Sequence, residues 1–352
     1  MAGRKPRYLR ERTLAFFVPP SAQRVGGLDL AVSELAGVLG REGWRVQIDP
    51  TNLTDYDAVH LHGLWQRRFL GVARECHKLS IPYVVSPHGM LEPWAWRHRR
   101  WKKLPYFHLL EKRMLNGSRR ILATSQLEAD NLRKFNFRPR VVTLPLGLDA
   151  TAKPAYAAAR ARLGWRDQHF VLLYLSRIHP KKGLHLLLTA LANLEVGQGN
   201  CSLVVVGDGP EEYMRKVRTI AEAKAARLPH VHWVGPIWDE RKWDYLQAAD
   251  LFCLPTQSEN FGLAILEACQ VGTPVLTTIG TPWGEFLTRH GLPVIAPTES
   301  ELRDALAQLI RQKGFDSGVK ERLAADARKE FSWSTLGPRY TRFYDDLLAE
   351  RD

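Results

Sequence analysis

The sequence predicts an α/β chain of two doubly wound, Rossmann-like parallel sheets, and three observations predict it. Short runs that are almost wholly apolar recur along the chain, from "TLAFFVP" to "PVIAP". Stretches with apolar residues at helical spacing separate most of them. An Ala-, Lys- and Arg-rich stretch, "DATAKPAYAAARARLGWRDQH", divides the runs into two series. Apolar strands alternating with helices indicate parallel sheets covered on both faces. A length of 352 residues is comfortable for two domains.

The first series opens with "TLAFFVP" (13–19), which leads to Gly26 and Gly27 and then to "LDLAVSELAGVLGREG". Leu28, Ala31, Leu35 and Leu39 fall there at helical spacing, and "REGW" ends the helix. "RVQIDP", "AVHLHG", "YVVSPHG", "ILATS" and "VVTLPLG" follow as further strands. The second series begins at "FVLLYLS" (170–176) and continues through "SLVVVGDG", "VHWVG", "LFCLPT", "PVLTT" and "PVIAP". The expected organisation is an N-terminal domain over 1–150, a linker over 151–168 and a C-terminal domain over 169–335. A last amphipathic helix over 336–352 is expected to pack back on the N-terminal domain. Ligands of such sheets bind beyond the carboxyl ends of the strands, so two sets of strand-end loops should face each other across a cleft.

Hydrophobic residues are 45% and charged residues 25%, ordinary for soluble proteins. Cys76, Cys201, Cys253 and Cys269 are scattered with no CxxC pair, which argues against a disulfide framework or a zinc site and for a reducing compartment. The opening "MAGRKPRYLRERTLAFFVPP" imitates a signal peptide, but its apolar run of about six residues stops at Pro19 and is too short for one. We read it as the first strand and expect a cytoplasmic protein. The net charge of +13 suits an anionic partner, whether nucleic acid, lipid or a phosphorylated small molecule, without choosing among them.

Chemistry concentrates at the strand ends. In "SENFGLAILEACQVGTPV" (258–275), Asn260, Phe261 and Gly262 are expected to form the first turn of a helix. Its unpaired N–H groups and positive dipole end would take a phosphate. Glu259 in the loop and Glu267, about two turns into the helix, could accept hydrogen bonds from hydroxyls on either side of a diphosphate. In "SRIHPKKGLHLLL" (176–188), Arg177 and Lys182 supply cations at one sheet edge. "GDGP" (207–210) is a weak glycine pattern by itself. His62 and His88 each precede glycine at a strand end, and His88 is the stronger candidate. "DYD" (55–57) precedes a strand at the wrong end of the sheet and reads as structural. His60 and His62 share a strand face with no third ligand evident, so no metal is expected.

"RVGGLDLAVSELAGVLGREGWRV", "LPLGLD", "SRIHPKKG", "VVVGDGP", "VHWVGPI" and "SENFGLAILEACQVGTPVLTT" together resemble the retaining glycosyltransferases of family four, which have the GT-B fold. The resemblance covers essentially the whole chain in order. "PHGMLEPWAWRHRRWKKLP" is similar to the branch that builds lipopolysaccharide or exopolysaccharide. The resemblance implies a nucleotide-diphosphate sugar donor, UDP- or GDP-linked, held by the C-terminal domain, with no cofactor. Arg177 and Lys182 would contact the diphosphate, Glu267 the ribose and Glu259 the donor sugar. Backbone amides of Asn260, Phe261 and Gly262 would face sugar and phosphates. Gly207 and Gly209 would border the nucleotide, with Pro236 and Ile237 near the base. Gly26 and Gly27 would approach the diphosphate, and His88 would line the donor–acceptor pocket. Leu146 departs from the family pattern, which often has Asn there, while Gly147 and Asp149 still fit.

Residues 94–120 hold nine Lys or Arg against one acid, Glu111. Basic residues interleaved with aromatics suit an anionic membrane surface. Trp94, Trp96, Arg97, Arg99, Arg100, Trp101, Lys102 and Lys103 are the expected membrane and acceptor patch. A glycan or lipid-linked acceptor at the inner face of the cell membrane follows. Two other enzyme readings, a sugar-nucleotide epimerase and a phosphorylase, keep the fold; a nucleic-acid binder using the same basic patch is the remote alternative. No recognisable nucleic-acid-binding module accompanies the patch, so no nucleic acid is expected.

Overall fold

The structure, a computed structural model, describes residues 12–20, 27–97, 100–150, 156–165, 169–194 and 201–350. The chain forms two compact units, one of Met1–Gly147 with Phe331–Asp352 and one of Leu148–Glu330. Every expected apolar run carries a strand, and both sheets are parallel throughout.

Unit 1 runs β1 (Arg12–Phe17), α1 (Leu28–Arg41), β2 (Trp44–Ile48), β3 (Ala58–His62), α2 (Arg67–Lys78) and β4 (Tyr83–Ser86). It continues through α3 (Pro93–Arg97), α4 (Arg100–Tyr106), a π-helical turn (Phe107–Glu111), α5 (Lys112–Gly117), β5 (Arg120–Ala123), α6 (Gln126–Arg133) and β6 (Arg140–Thr143). The six-stranded sheet has the order β2-β1-β3-β4-β5-β6. Alternate residues of β1 feed separate cores: Leu14 and Phe16 join one cluster, Ala15 and Phe17 the other. That is the period of two expected of a strand buried on both faces.

Unit 2 contains α7 (Tyr156–Leu163), β7 (Phe170–Leu175), a 3₁₀ turn (Pro180–Lys182), α8 (Leu184–Ala192), β8 (Cys201–Val206), α9 (Glu211–Ala223), β9 (His230–Gly235) and α10 (Lys242–Ala248). After these come β10 (Leu251–Leu254), α11 (Leu263–Gln270), β11 (Val275–Thr278), α12 (Gly284–Arg289), β12 (Val294–Ile295), α13 (Glu299–Arg311) and α14 (Ser317–Phe331). Its sheet order is β12-β11-β10-β7-β8-β9. The strand order reverses between β7 and β10, which makes their carboxyl ends the switch point where ligands of doubly wound sheets bind. Helix α7 lies in the stretch read from sequence as linker. Its Arg160 is 1% exposed and pairs with Asp250 at 3.1 Å, and Asp250 also accepts the Val171 amide at 2.7 Å.

Helix α15 (Trp333–Ala349) ends the described chain within unit 1. Ser332 caps it, its hydroxyl accepting from the Thr335 amide. Trp333, Leu336, Tyr340, Tyr344 and Leu347 recur at helical spacing and are buried in the core that α1 and one sheet face share. Gly147 carries no side chain where the Trp333 ring lies 2.5 Å from a would-be Cβ. Among the described residues no helix is long and apolar enough to cross a membrane.

Candidate active site

The loops after β7 and β10 meet at the switch point of unit 2. Thr256 Oγ1 donates to the Lys181 carbonyl at 3.1 Å, and the Gln257 amide donates to it at 2.7 Å. Gly183 takes a left-handed backbone, φ 75°, and a Cβ there would collide with the Pro255 carbonyl. This close approach lets Lys182 reach across: its Nζ lies 2.5 Å from Glu259 Oε1, with the two side chains 14% and 8% exposed. Burial pushes the Glu259 carboxyl upward, but the Lys182 ammonium, with Lys181 and the Thr256 hydroxyl, outweighs it and holds the acid below its usual value. The carboxylate is therefore charged at neutral pH.

Eight residues after Glu259, Glu267 is buried and its Oε1 lies 2.7 Å from Lys242 Nζ. Lys242 opens α10, and nothing in the local sequence pairs it with a glutamate 25 residues away. Sequence reasoning missed it; its place just after a strand-end loop was the available signal. Two expectations about this segment need correction. Asn260, Phe261 and Gly262 precede the helix instead of forming its first turn, because Gly262 adopts φ 82° and the helix begins at Leu263. Glu267 accordingly lies just over one turn into α11, not two. The loop is pinned from behind: the Trp283 indole donates to the Phe261 carbonyl at 2.5 Å, and the Glu259 amide donates to Gly280 O at 2.8 Å.

The glycine turn after β8 belongs to the same edge. Gly207 takes φ 135°, and a Cβ on it would strike the Ser176 carbonyl, while one on Gly209 would strike the Ile178 carbonyl. The Ile178 amide donates to Asp208 O at 2.5 Å, so "GDGP" and the Arg177 loop are laced together. Arg177 itself is exposed on that loop. Pro236 is exposed and Ile237 half-buried after β9.

Unit 1 places its candidates differently. Gly27 precedes α1 and its carbonyl accepts from the Ala31 amide at 2.9 Å; Gly26 lies outside the described residues. His88 follows β4 with φ 50°, and its Nε2 is 3.1 Å from His62 Nδ1. His60 stacks against His62, ring centroids 3.8 Å apart, and is held by Tyr344 Oη and Ser86 Oγ at 2.7 Å each. Burial keeps all three imidazoles neutral: it pushes His88 down to about 4, and lowers His60 and His62 well below the ordinary range. Beneath them Glu128 accepts the Gly89 amide at 2.6 Å and the Thr124 amide at 2.8 Å. Burial raises Glu128 to about 7 in spite of those donors. Among the described residues no His, Cys, Asp and Glu side chains cluster so as to hold a metal ion. Asp57 accepts from the Thr13 amide and hydroxyl at 3.0 Å each, a structural tie.

The basic-aromatic segment divides by face. Trp96 packs on Phe107 and Phe135, with centroids at 5.0 and 5.4 Å, so it is a core residue and not part of an outward patch. Trp94 is half-buried, whereas Trp101 is 74% and Leu109 73% exposed. Lys103 turns inward, donating to the Ala95 carbonyl at 2.6 Å beneath the Trp65 ring. Arg99 falls outside the described residues.

Fold and site together define a two-unit α/β protein whose second unit presents ion-paired loops at a ligand-binding switch point. Residues 156–330 match the family model of the glycosyl transferases group 1, and residues 44–152 match the model of Glycosyltransferase Family 4. The D-rhamnosyltransferase WbpZ of Pseudomonas aeruginosa is 31% identical over 244 residues, which are 67% of this chain and 58% of that protein. This chain thus spans little more than half of that relative's length. The Anabaena HepE protein, solved in complex with UDP and glucose, shares the fold at TM-score 0.74 and 19% identity, over 95% of this chain and 99% of that one. WaaG, a glycosyltransferase involved in lipopolysaccharide biosynthesis, shares it at TM-score 0.67 and 17% identity, over 93% and 98%. These matches support a group 1 glycosyltransferase.

Proposed function

We propose that the chain is a retaining glycosyltransferase that moves a hexosyl unit from a nucleotide-diphosphate sugar to a glycan or lipid-linked acceptor in cell-surface polysaccharide synthesis. The observation that carries this reading is the Lys182–Glu259 pair at the switch point of unit 2, with a second pair, Lys242–Glu267, formed by the helix that follows the Glu259 loop. A diphosphate leaving group gathers negative charge as the bond to the anomeric carbon breaks. Groups fixed in advance where that charge grows stabilise it without reorganisation. Lys182, oriented by Glu259, and the exposed Arg177 are the cations for this task. Glu267 takes ribose hydroxyls, and Glu259 the sugar. The acceptor oxygen attacks on the face the diphosphate leaves. The new C–O bond forms as the old one breaks, and the acceptor proton passes to the departing phosphate. The reading uses no resident metal.

For unit 1 the proposal assigns the acceptor side, with neutral His88 able to hydrogen-bond a hydroxyl without bringing charge. Trp101 and Leu109 lie outward on the segment holding nine Lys or Arg, a suitable contact with an anionic membrane leaflet at the cytoplasmic face.

The test is a thermal-shift panel of UDP-, GDP- and ADP-sugars followed by a transfer assay. One donor class should raise Tm, because ligand bound to the native state stabilises it. Free nucleoside diphosphate should then accumulate only when acceptor is present. Turnover of the sugar nucleotide without acceptor would favour an epimerase instead.

A further inference from the structure

His60 and His62 lie two residues apart on β3, and both are buried. Their ring nitrogens are used differently. In His60 both are engaged: Nδ1 meets Tyr344 Oη and Nε2 meets Ser86 Oγ, each at 2.7 Å. In His62 one is engaged. Its Nδ1 lies 3.1 Å from His88 Nε2, while its Nε2 is sealed from solvent with no hydrogen-bond partner among the described residues. We propose that His62 is a positioning residue that fixes the tautomer of His88, so that His88 presents an N–H, at Nδ1, to a bound oxygen atom. The inference deepens the acceptor-side reading of His88 and rests on it only for what that N–H serves.

Two neutral imidazoles joined by one hydrogen bond have two arrangements. In the first, His62 Nδ1–H donates to the lone pair of His88 Nε2. His62 Nε2 then carries a lone pair, and His88 carries its proton on Nδ1. In the second, His88 Nε2–H donates to His62 Nδ1. His62 Nε2 must then bear an N–H, and His88 Nδ1 a lone pair. The sealed nitrogen decides between them. Orphaned buried N–H groups are rarer in proteins than acceptors left short of a donor, so the first arrangement holds. Burial supports the neutral state of both rings that this choice requires.

The contact is built into the ends of two paired strands. His62 closes β3 opposite Ser86 of β4, and the Gly63 amide donates to Ser86 O at 2.7 Å. The His62 ring is wedged between Phe16, edge-on with centroids 4.9 Å apart, and His60. The His62 and His88 rings lie within 20° of parallel with centroids 5.4 Å apart, about as far as a 3.1 Å N···N contact allows, so the bond runs head-on along both rings. His88 is half-buried, and among the described residues its ring has no other hydrogen-bond partner, which leaves Nδ1 available. An N–H at that atom donates to a hydroxyl, ether or phosphate oxygen and has no lone pair with which to take a proton. His88 thus orients an oxygen and is not a general base, in keeping with an acceptor proton that passes to the departing phosphate.

The test is long-range proton–nitrogen NMR of the full chain labelled in histidine, near neutral pH, beside a donor-saturated transfer assay. His62→Asn and His88→Gln assign the two rings. In the wild type both should carry the proton on Nδ1. His62→Asn, whose carboxamide N–H can replace Nδ1–H, should keep His88 in that form and kcat within about threefold of the wild type. His62→Leu removes the donor: His88 should leave the Nδ1–H form, and kcat should fall about tenfold with KM little changed, as for the loss of one hydrogen bond. An Nε2–H on His62 or His88 in the wild type overturns the inference, and so does a His88 tautomer that persists in folded His62→Leu. An Nδ1–H form of His88, with kcat unchanged in His88→Ala, leaves the tautomer standing and overturns the acceptor-side reading.

Discussion

The two units share a scaffold and differ in what they hang from it. Each has six parallel strands with its candidate residues on strand-end loops. In unit 1 those residues are imidazoles stripped of charge by burial, with His88 held near 4 and a carboxyl, Glu128, raised to about 7. In unit 2 they are lysines locked onto buried glutamates at 2.5 and 2.7 Å. Burial is common to both, and the partners decide the outcome: it strips the imidazoles of charge, neighbouring histidines adding to it at His60 and His62, whereas the Glu259 carboxylate facing an ammonium keeps its charge. One frame therefore carries a charge-free polar cluster in unit 1 and an ionic one in unit 2.

The sharpest way to break that contrast is to remove the ionic side. Lys182→Ala should lower kcat by about two orders of magnitude in a donor-saturated transfer assay, as loss of one preorganised donor does. Activity near wild type would remove Lys182 from the mechanism.

The next effect concerns backbone approach. Gly209→Ala places a methyl against the Ile178 carbonyl and should cost about 2–3 kcal/mol in denaturant unfolding. Gly71→Ala on α2, where a Cβ meets nothing within 4 Å, should be neutral or stabilising by up to about 1 kcal/mol. Equal costs at the two sites would mean that the tight lacing of loops is not peculiar to the unit 2 edge.

The smallest effect concerns charge suppression in unit 1. Glu111 accepts the Trp65 amide at 2.9 Å, and burial pushes its carboxyl up to about 7. Its folded pKa lies above its unfolded one, so the folded state holds the extra proton between about 4.5 and 7. The protein is then most stable, on account of this group, below pH 4.5 and loses that contribution as pH rises through 7. Glu111→Gln cannot ionise and should flatten the slope, narrowing the Tm loss between pH 5 and pH 8 by an amount worth on the order of 1–2 kcal/mol. Identical slopes in both proteins would show that Glu111 titrates normally.

The strands were legible because each is an unbroken apolar run buried on both faces, a signal needing no partner. Glu259, Lys182 and the glycines were legible for a similar reason: each sits at a strand end, and strand ends in such sheets have one address. The Lys242–Glu267 pair was not, since it depends on how two helices pack. The helix boundary at Gly262 was missed because helical spacing says nothing about a left-handed residue in front of it. The faces of Trp96 and Trp101 were hidden because the two lie on separate short helices, α3 and α4, and a basic-aromatic composition does not say which ring packs inward.

The return of α15 to unit 1 has a consequence for biosynthesis. Tyr344 Oη meets His60 Nδ1 across 284 residues of sequence, and the ring of Trp333 fills the space that Gly147 leaves. At roughly 5–20 residues per second, a ribosome spends on the order of ten to forty seconds on the intervening unit. The nascent first sheet must wait that long with one flank uncovered, while the second unit has all its parts to hand. The half that is made first is the half that finishes last, and it is the stage at which a chaperone would have most to shield.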